Sequence, residues 1–258
     1  MPLDPSAALL TDRVAVVTGA AVGIGEAIAL SFARFGADVA VCDRDADSLA
    51  ATAAGIETAG RRAHSARLDV RDAPAVAGFL EEVGRRFGRV DVLVNNAGGG
   101  FAAPFLEVSA KGQAALVDEN FSSVTHFIRG VVPLVPDTGG SIINLTSIEA
   151  HRAGPGYAIY SAMKAAVENL TKSLALELGD RGIRVNCIAP DVIPTPGIGA
   201  FEVDTPLART GAVDDAAGAA VFLASDLSRF VTGTTLHVDG GNHAAGGWRR
   251  GAGGGFHV

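Results

Sequence analysis

"VAVVTGAAVGIGEAIALSF" occupies residues 14–32, and its reading decides the fold. A run of apolar, β-favouring residues meets glycines at Gly19, Gly23 and Gly25, and a helix-forming stretch follows at once. Unbroken apolar runs of this kind are expected of strands buried on both faces, as in a parallel sheet covered by helices. Glycines between such a strand and its helix let the backbone approach a pyrophosphate. The helix start also presents free N–H groups and a partial positive charge. For the turn alone, a tight strand–helix connection with no ligand is the plainer alternative.

Outward from this stretch the alternation continues. Apolar runs lie at "DVAVCD" (38–43), "VDVLVNNAG" (90–98), "SIINLTS" (141–147), "IRVNCIAP" (183–190) and "TTLHVDGG" (234–241). Residues 22–35, 45–59, 72–87 and 155–178 carry apolar positions at helical spacing. This pattern predicts an α/β, Rossmann-type doubly wound sheet with helices on both faces. Asp43 closes the second strand, where a carboxylate can accept hydrogen bonds from adenosine ribose hydroxyls. Its alternative role, capping the next helix, suits Asp45 better. "LDV" (68–70), expected to end the third strand, offers Asp69 and Val70; "NNAG" (95–98), ending the fourth, offers Asn96, Ala97 and Gly98. Carboxyl ends of parallel strands are where such sheets bind ligands.

Bulk properties exclude several classes of function. The 258 residues carry a net charge of −7, so no field attracts nucleic acid or an anionic membrane. Residues 1–13 lack a signal-peptide pattern, and no apolar run reaches spanning length. Cys42 and Cys187 sit inside apolar runs and read as small hydrophobes. A cytoplasmic protein is expected, with no metal site. Residues 1–242 read as a single domain. Residues 243–258, rich in glycine, read as a flexible tail unable to hold a regular element.

Within "YAIYSAMKAAVENL" (157–170), Tyr160 precedes Lys164 by one helical turn, on one face. Alone, the pair reads as an ordinary helix face. Together with "TGAAVGIG", "NNAG", "DEN" (118–120), "TS" (146–147) and "IAPDVIPT" (188–195), in this order and spacing, it resembles the short-chain dehydrogenase/reductase family. The resemblance spans 13–242, and the glycine spacing departs from that of the sugar-nucleotide epimerase branch. It implies seven parallel strands, a nicotinamide dinucleotide across their carboxyl edge, and a tetrad of Asn120, Ser147, Tyr160 and Lys164. It also implies cofactor contacts from Gly19, Gly23, Ile24, Gly25, Asp43, Asp69, Val70, Asn96, Ala97, Gly98, Tyr160, Lys164, Pro190, Ile193 and Thr195. Relatives are commonly tetramers built on helices at 107–135 and 155–178, so a homotetramer is expected.

The chemistry fits those residue types. Oxidising a secondary alcohol needs a base near its hydroxyl while hydride leaves the carbon. A free tyrosine has a pKa of about 10. Lys164 is expected to lower it, and a shift of about two units corresponds to roughly 2.7 kcal/mol. Ser147 would hold the substrate oxygen, and Lys164 the nicotinamide ribose. Asn120, by family analogy, would hold a water linking Lys164 to solvent.

Asp43 repels a 2′-phosphate and Val22 supplies no cation, so NAD is expected rather than NADP; Arg44 argues the other way. Asp191 stands where relatives usually have glycine, and a left-handed turn there is tolerable for aspartate. Specificity is expected from 148–159 and 196–212. The second is a short lid over a roomy site for a lipophilic, steroid-like or hydroxyacyl, substrate. Glu149 and His151 are read as solvated loop residues, with a polar substrate group as their other possible partner. Two alternatives stand beside this reading: an NADPH-dependent 3-oxoacyl carrier-protein reductase and a non-catalytic NAD sensor. "VPDTGGS" (135–141) has no basic residue for an acidic carrier, which disfavours the first. Trp248 in the tail is expected either to dock over the pocket or to lie exposed.

Overall fold

The computed structural model describes residues 3–196, 205–247, 249–250 and 256–257. Strand β1 (Val14–Thr18) is buried along its whole length and leads through the glycine turn into α1 (Gly23–Arg34). Then come β2 (Asp38–Asp43), α2 (Ala46–Thr58), β3 (Ala63–Arg67), α3 (Ala73–Phe87) and β4 (Val92–Asn95). The second half contains α4 (Ala110–Val117), α5 (Ser123–Val131), β5 (Gly140–Leu145), α6 (Ala158–Glu177), β6 (Ile183–Pro190), α7 (Val213–Ala224) and β7 (Thr235–Val238).

The seven strands form one parallel sheet in the order β3-β2-β1-β4-β5-β6-β7. Strand order therefore reverses between β1 and β4, which opens a crevice at their carboxyl ends. Alternate residues of each strand feed two cores. Ala15, Val17, Val39 and Val41 pack with Ile28 and Phe32 of α1, Leu49 and Ile56 of α2, and Leu223 of α7. Val16, Ala40, Leu93 and Val185 pack with Phe79 of α3, Phe127 of α5 and Val167 of α6. Burying a side chain such as Phe32 contributes about 1.5–3 kcal/mol. Cys42 and Cys187 are free and buried within these layers.

Two expectations need correction. "LDV" lies beyond β3, which ends at Arg67. As an edge strand bonded only to β2, β3 needs no apolar run, and its sequence is "AHSAR". The tail does hold regular structure: α8 (Asn242–Ala245), then β8 (Arg249–Arg250) paired antiparallel with β9 (Phe256–His257). Trp248, with its two expected placements, lies outside the described residues. Asp45, as expected, caps α2, its carboxylate accepting from the N–H groups of Asp47 and Ser48 at 3.2 Å.

Candidate active site

The glycine turn is built so that only glycine fits. Gly19 and Gly23 have φ of +65° and +70°, which side chains disfavour. A Cβ on Gly25 would lie 2.0 Å from the Gly19 carbonyl oxygen and 2.4 Å from Asn96 Nδ2. Asn96 locks the turn to the end of β4: its Nδ2 donates to the carbonyls of Thr18 (3.0 Å) and Gly19 (2.9 Å). The Thr18 hydroxyl accepts from the N–H groups of Asn96 and Ala97, both at 3.0 Å. No side chain caps α1 at Val22, leaving the helix start without a competing side-chain acceptor. The turn therefore fits an anionic ligand approaching the backbone.

This geometry makes a prediction. Gly25→Ala forces backbone against backbone and should destabilise the protein by about 1–3 kcal/mol, with weakened dinucleotide binding. Gly78 of α3 has nothing within 4 Å of its would-be Cβ, so Gly78→Ala should stabilise instead. Denaturant titration of both variants checks the contrast, and equal melting behaviour would contradict it.

From this turn a cavity of about 690 Å³ extends along the carboxyl edge of the sheet. Gly19, Gly23, Ile24, Asp43, Val70, Asn96, Ala97, Gly98, Ser147, Tyr160, Lys164, Pro190, Ile193 and Thr195 line it. Gly25, Asp69 and Asn120 do not. Gly25 packs beneath the turn. The Asp69 carboxylate is forked by Arg71 (Nη2 to Oδ2, 2.5 Å), which holds its pKa down to about 2. Asn120 is fully buried, donating to the carbonyls of Gly99 (2.8 Å) and Leu116 (3.0 Å) and accepting from Gly99 N–H. A Cβ on Gly98 would sit 2.8 Å from Asn120 Oδ1 and 3.1 Å from Lys164 Nζ, so these residues converge behind the cavity wall. Asn120 lies in a π-helical turn, Asp118–Ser122, between α4 and α5. Such insertions frequently occur at functional sites.

Lys164, Val167, Thr171 and Ala175 are the buried positions of α6, a stripe that turns the Lys164 side chain toward the sheet. Its Nζ donates to the Leu145 carbonyl at 2.9 Å and lies 5.5 Å from the Tyr160 ring centroid. Burial, the largest cause, pushes the ammonium down to about 8. Tyr160 departs from expectation: its phenol is held above its ordinary value, chiefly by burial, with Glu149 adding to the rise and a hydrogen bond with Ser147 opposing it. Ser147, just past β5, reaches both Tyr160 and the N–H of Glu149 (3.2 Å).

Other lining residues are not individually marked by the sequence, although Leu68, Glu119 and Thr146 lie in quoted motifs and Tyr157 in the segment expected to set specificity. Gly99, Gly100, Leu68, Thr146, Tyr157 and Glu119 all line the cavity. A Cβ on Gly100 would press on the Tyr160 ring at 3.2 Å. The "GGG" run at 98–100 was the available signal for that close approach. Glu149 and His151 are not solvated loop residues. Glu149 lines the cavity and pairs with Arg152 at 3.0 Å. His151 packs against His237 and His243, with ring centroids 4.5 and 5.4 Å away, and lies 3.3 Å from Glu168. Asp191 adopts no left-handed backbone, since only Asp12 and Ala208 among described non-glycine residues have positive φ. Instead its carboxylate accepts from Val192 N–H (2.8 Å), Asn242 Nδ2 (2.6 Å) and Arg152 (3.4 Å), which fixes the turn after β6. Of the expected lid, residues 197–204 lie outside the described residues.

Comparison with known proteins agrees with this geometry. The family model described as Enoyl-(Acyl carrier protein) reductase matches residues 19–243. Gluconate 5-dehydrogenase of Gluconobacter oxydans is 38% identical over 243 residues, covering 90% of this chain and 95% of that one. Cyclohexanol dehydrogenase of a Rhodococcus species is 39% identical, covering 90% and 96%. A 3-oxoacyl-(acyl-carrier-protein) reductase of Staphylococcus epidermidis is 38% identical, covering 89% and 98%. Among solved structures, a dehydrogenase/reductase from Sinorhizobium meliloti superposes with a TM-score of 0.87 at 36% identity, covering 92% of this chain and 97% of that one. Carveol dehydrogenase from Mycobacterium avium, in complex with NAD, gives 0.83 at 29% identity, covering 90% and 97%. The chain belongs to the short-chain dehydrogenase/reductase family, a class of oxidoreductases. Among the described residues no helix is long and apolar enough to cross a membrane, and no cluster of metal-ligating side chains occurs.

Proposed function

We propose that the protein interconverts a secondary alcohol and its ketone with NAD(H), acting on a lipophilic, steroid-like or hydroxyacyl, substrate. The observation that carries this reading is the placement of Ser147, Tyr160 and Lys164 on the wall of one cavity whose other end is the glycine turn and Asp43. When bound, the nicotinamide cofactor supplies the hydride acceptor or donor. Ser147 holds the reacting oxygen beside the Tyr160 phenol oxygen, which as phenolate takes the carbinol proton in oxidation and as phenol returns it in reduction. Lys164 shares the proton with Tyr160, and Asn120 anchors the segment behind them. Leu145, Ile148 and Val192 along the wall support a lipophilic substrate. The names of the cyclohexanol and carveol dehydrogenases point the same way. A homotetramer in a reducing, cytoplasmic setting completes the proposal; light scattering tests the assembly.

The carboxylate of Asp43 supports NAD over NADP. It accepts from the N–H groups of Ala21 (3.1 Å), Arg44 (2.6 Å) and Asp45 (3.1 Å), which fixes a negative charge at the end of β2. We expect kcat/KM for NAD⁺ to exceed that for NADP⁺ by about tenfold or more, since like charges at short range repel strongly. Asp43→Ala should narrow the gap. Steady-state rates on a panel of secondary alcohols test this, and equal efficiency with both cofactors would overturn it. The 38% identity to a 3-oxoacyl-(acyl-carrier-protein) reductase favours a second reading, NADPH-dependent reduction of a 3-oxoacyl thioester. The same assay run with NADPH and such a thioester separates the two.

The pH dependence follows from the buried pair. Of the two, Lys164 is the group that burial brings into the neutral range, near 8, so it sets where the pair gives up its first proton. Oxidation needs the pair short of one proton, so its kcat/KM should climb with pH below about 8 and level off above. Reduction needs the full complement, so it should hold below about 8 and fall above. An oxidation profile flat between about pH 6 and 9 would contradict this assignment.

A further inference from the structure

Arg44 sits beside Asp43 and carries the charge that a 2′-phosphate would seek, yet its guanidinium is already engaged. Its Nη2 lies 3.3 Å from Glu119 Oε1. Arg44 follows β2, whereas Glu119 lies in the π-helical turn next to Asn120, and both line the cavity. The ion pair therefore joins two separate elements of the cavity lining. The backbone of Arg44 is pinned as well: its N–H donates to Asp43 and its carbonyl accepts from Arg67 Nε at 3.1 Å. Side-chain exposure is 21% for Glu119 and 59% for Arg44, so the acid is the better-anchored partner. Arg71, a second cation on this side, is committed to Asp69.

We infer that Glu119 is a cofactor-specificity residue, which neutralises Arg44 and so leaves the charge of Asp43 unopposed against a 2′-phosphorylated ribose. The inference rests on the dinucleotide reading above. It assigns the preference to three residues: Asp43 repels the phosphate, Arg44 is able to attract it, and Glu119 cancels that attraction. An exposed ion pair of this kind is worth little to stability, so its retention costs the fold nothing and its effect falls on recognition.

Calorimetric titration of NADH and NADPH into the wild type, Glu119→Gln, Arg44→Ala and the double variant tests it without turnover. Glu119→Gln keeps the side-chain shape and removes the charge. The ratio of NADPH to NADH dissociation constants should fall by about fivefold in Glu119→Gln. In the Arg44→Ala background the same change should have no effect on the ratio. An unaltered ratio in Glu119→Gln would overturn the inference, as would an equal fall with Arg44 absent. Failure of the wild type to bind either dinucleotide is a different result, and it would remove the underlying reading together with this one.

Discussion

Tyr160→Phe should lower turnover by about 10²–10⁴-fold, the usual contribution of a positioned acid–base group. The substitution removes one hydroxyl and keeps the ring against the Gly100 backbone, so the packing of α6 survives. The lost hydrogen bond with Ser147 costs about 1 kcal/mol of stability. Cofactor binding should persist, because the glycine turn and Asp43 are untouched. Stopped-flow or steady-state rates check the loss, alongside calorimetry with NAD⁺. Activity retained at more than a few per cent would remove Tyr160 from the proposed mechanism.

Lys164→Met should have a comparable effect on rate and a distinctive one on stability. The ammonium is buried and its pKa is pushed from its ordinary value to about 8, so folding disfavours the charged form. A depressed lysine binds more protons when unfolded, so stability increases as pH rises from about 8 towards about 10.4, the unfolded value. Across that window the gain approaches about 3 kcal/mol. Lys164→Met abolishes that increment and leaves the Leu145 carbonyl without its donor. Melts at about pH 7 and 10 should therefore show the wild type gaining stability relative to the variant. Turnover of the variant should fall by orders of magnitude, with weaker cofactor affinity. A wild type no more stabilised than Lys164→Met on raising the pH would contradict the buried charge.

Much of this arrangement was legible in residue order. Strands β1, β2, β4, β5 and β6 are predominantly apolar because helices cover both faces of the sheet. The edge strand β3 was placed too late in the chain, because a strand with one neighbour tolerates polar residues and carries no such signal. The residues lining the cavity were mostly readable because the ends of parallel strands are fixed by the runs before them. Side-chain occupancy was not readable. Nothing in "LDV" shows Arg71 claiming Asp69, and nothing in "IAPDVIPT" shows Asn242 and Arg152 holding Asp191. The π-helical turn at 118–122 has the apolar spacing of a plain helix, so its effect on Glu119 and Asn120 appears only in three dimensions. The direction of the Tyr160 shift is likewise not legible from residue order. Sequence adjacency suggested a charge effect, and depth of burial outweighed it.

The proposed reaction is hydride transfer from a secondary carbinol to NAD⁺ at the Ser147–Tyr160–Lys164 end of the cavity. Mass spectrometry of the NADH formed from carbinol-deuterated secondary alcohols tests it most directly. One deuterium is expected in the reduced nicotinamide with the wild type, and almost none with Tyr160→Phe at equal enzyme. NAD⁺ binding without deuterium transfer from any alcohol of a broad lipophilic panel would contradict it.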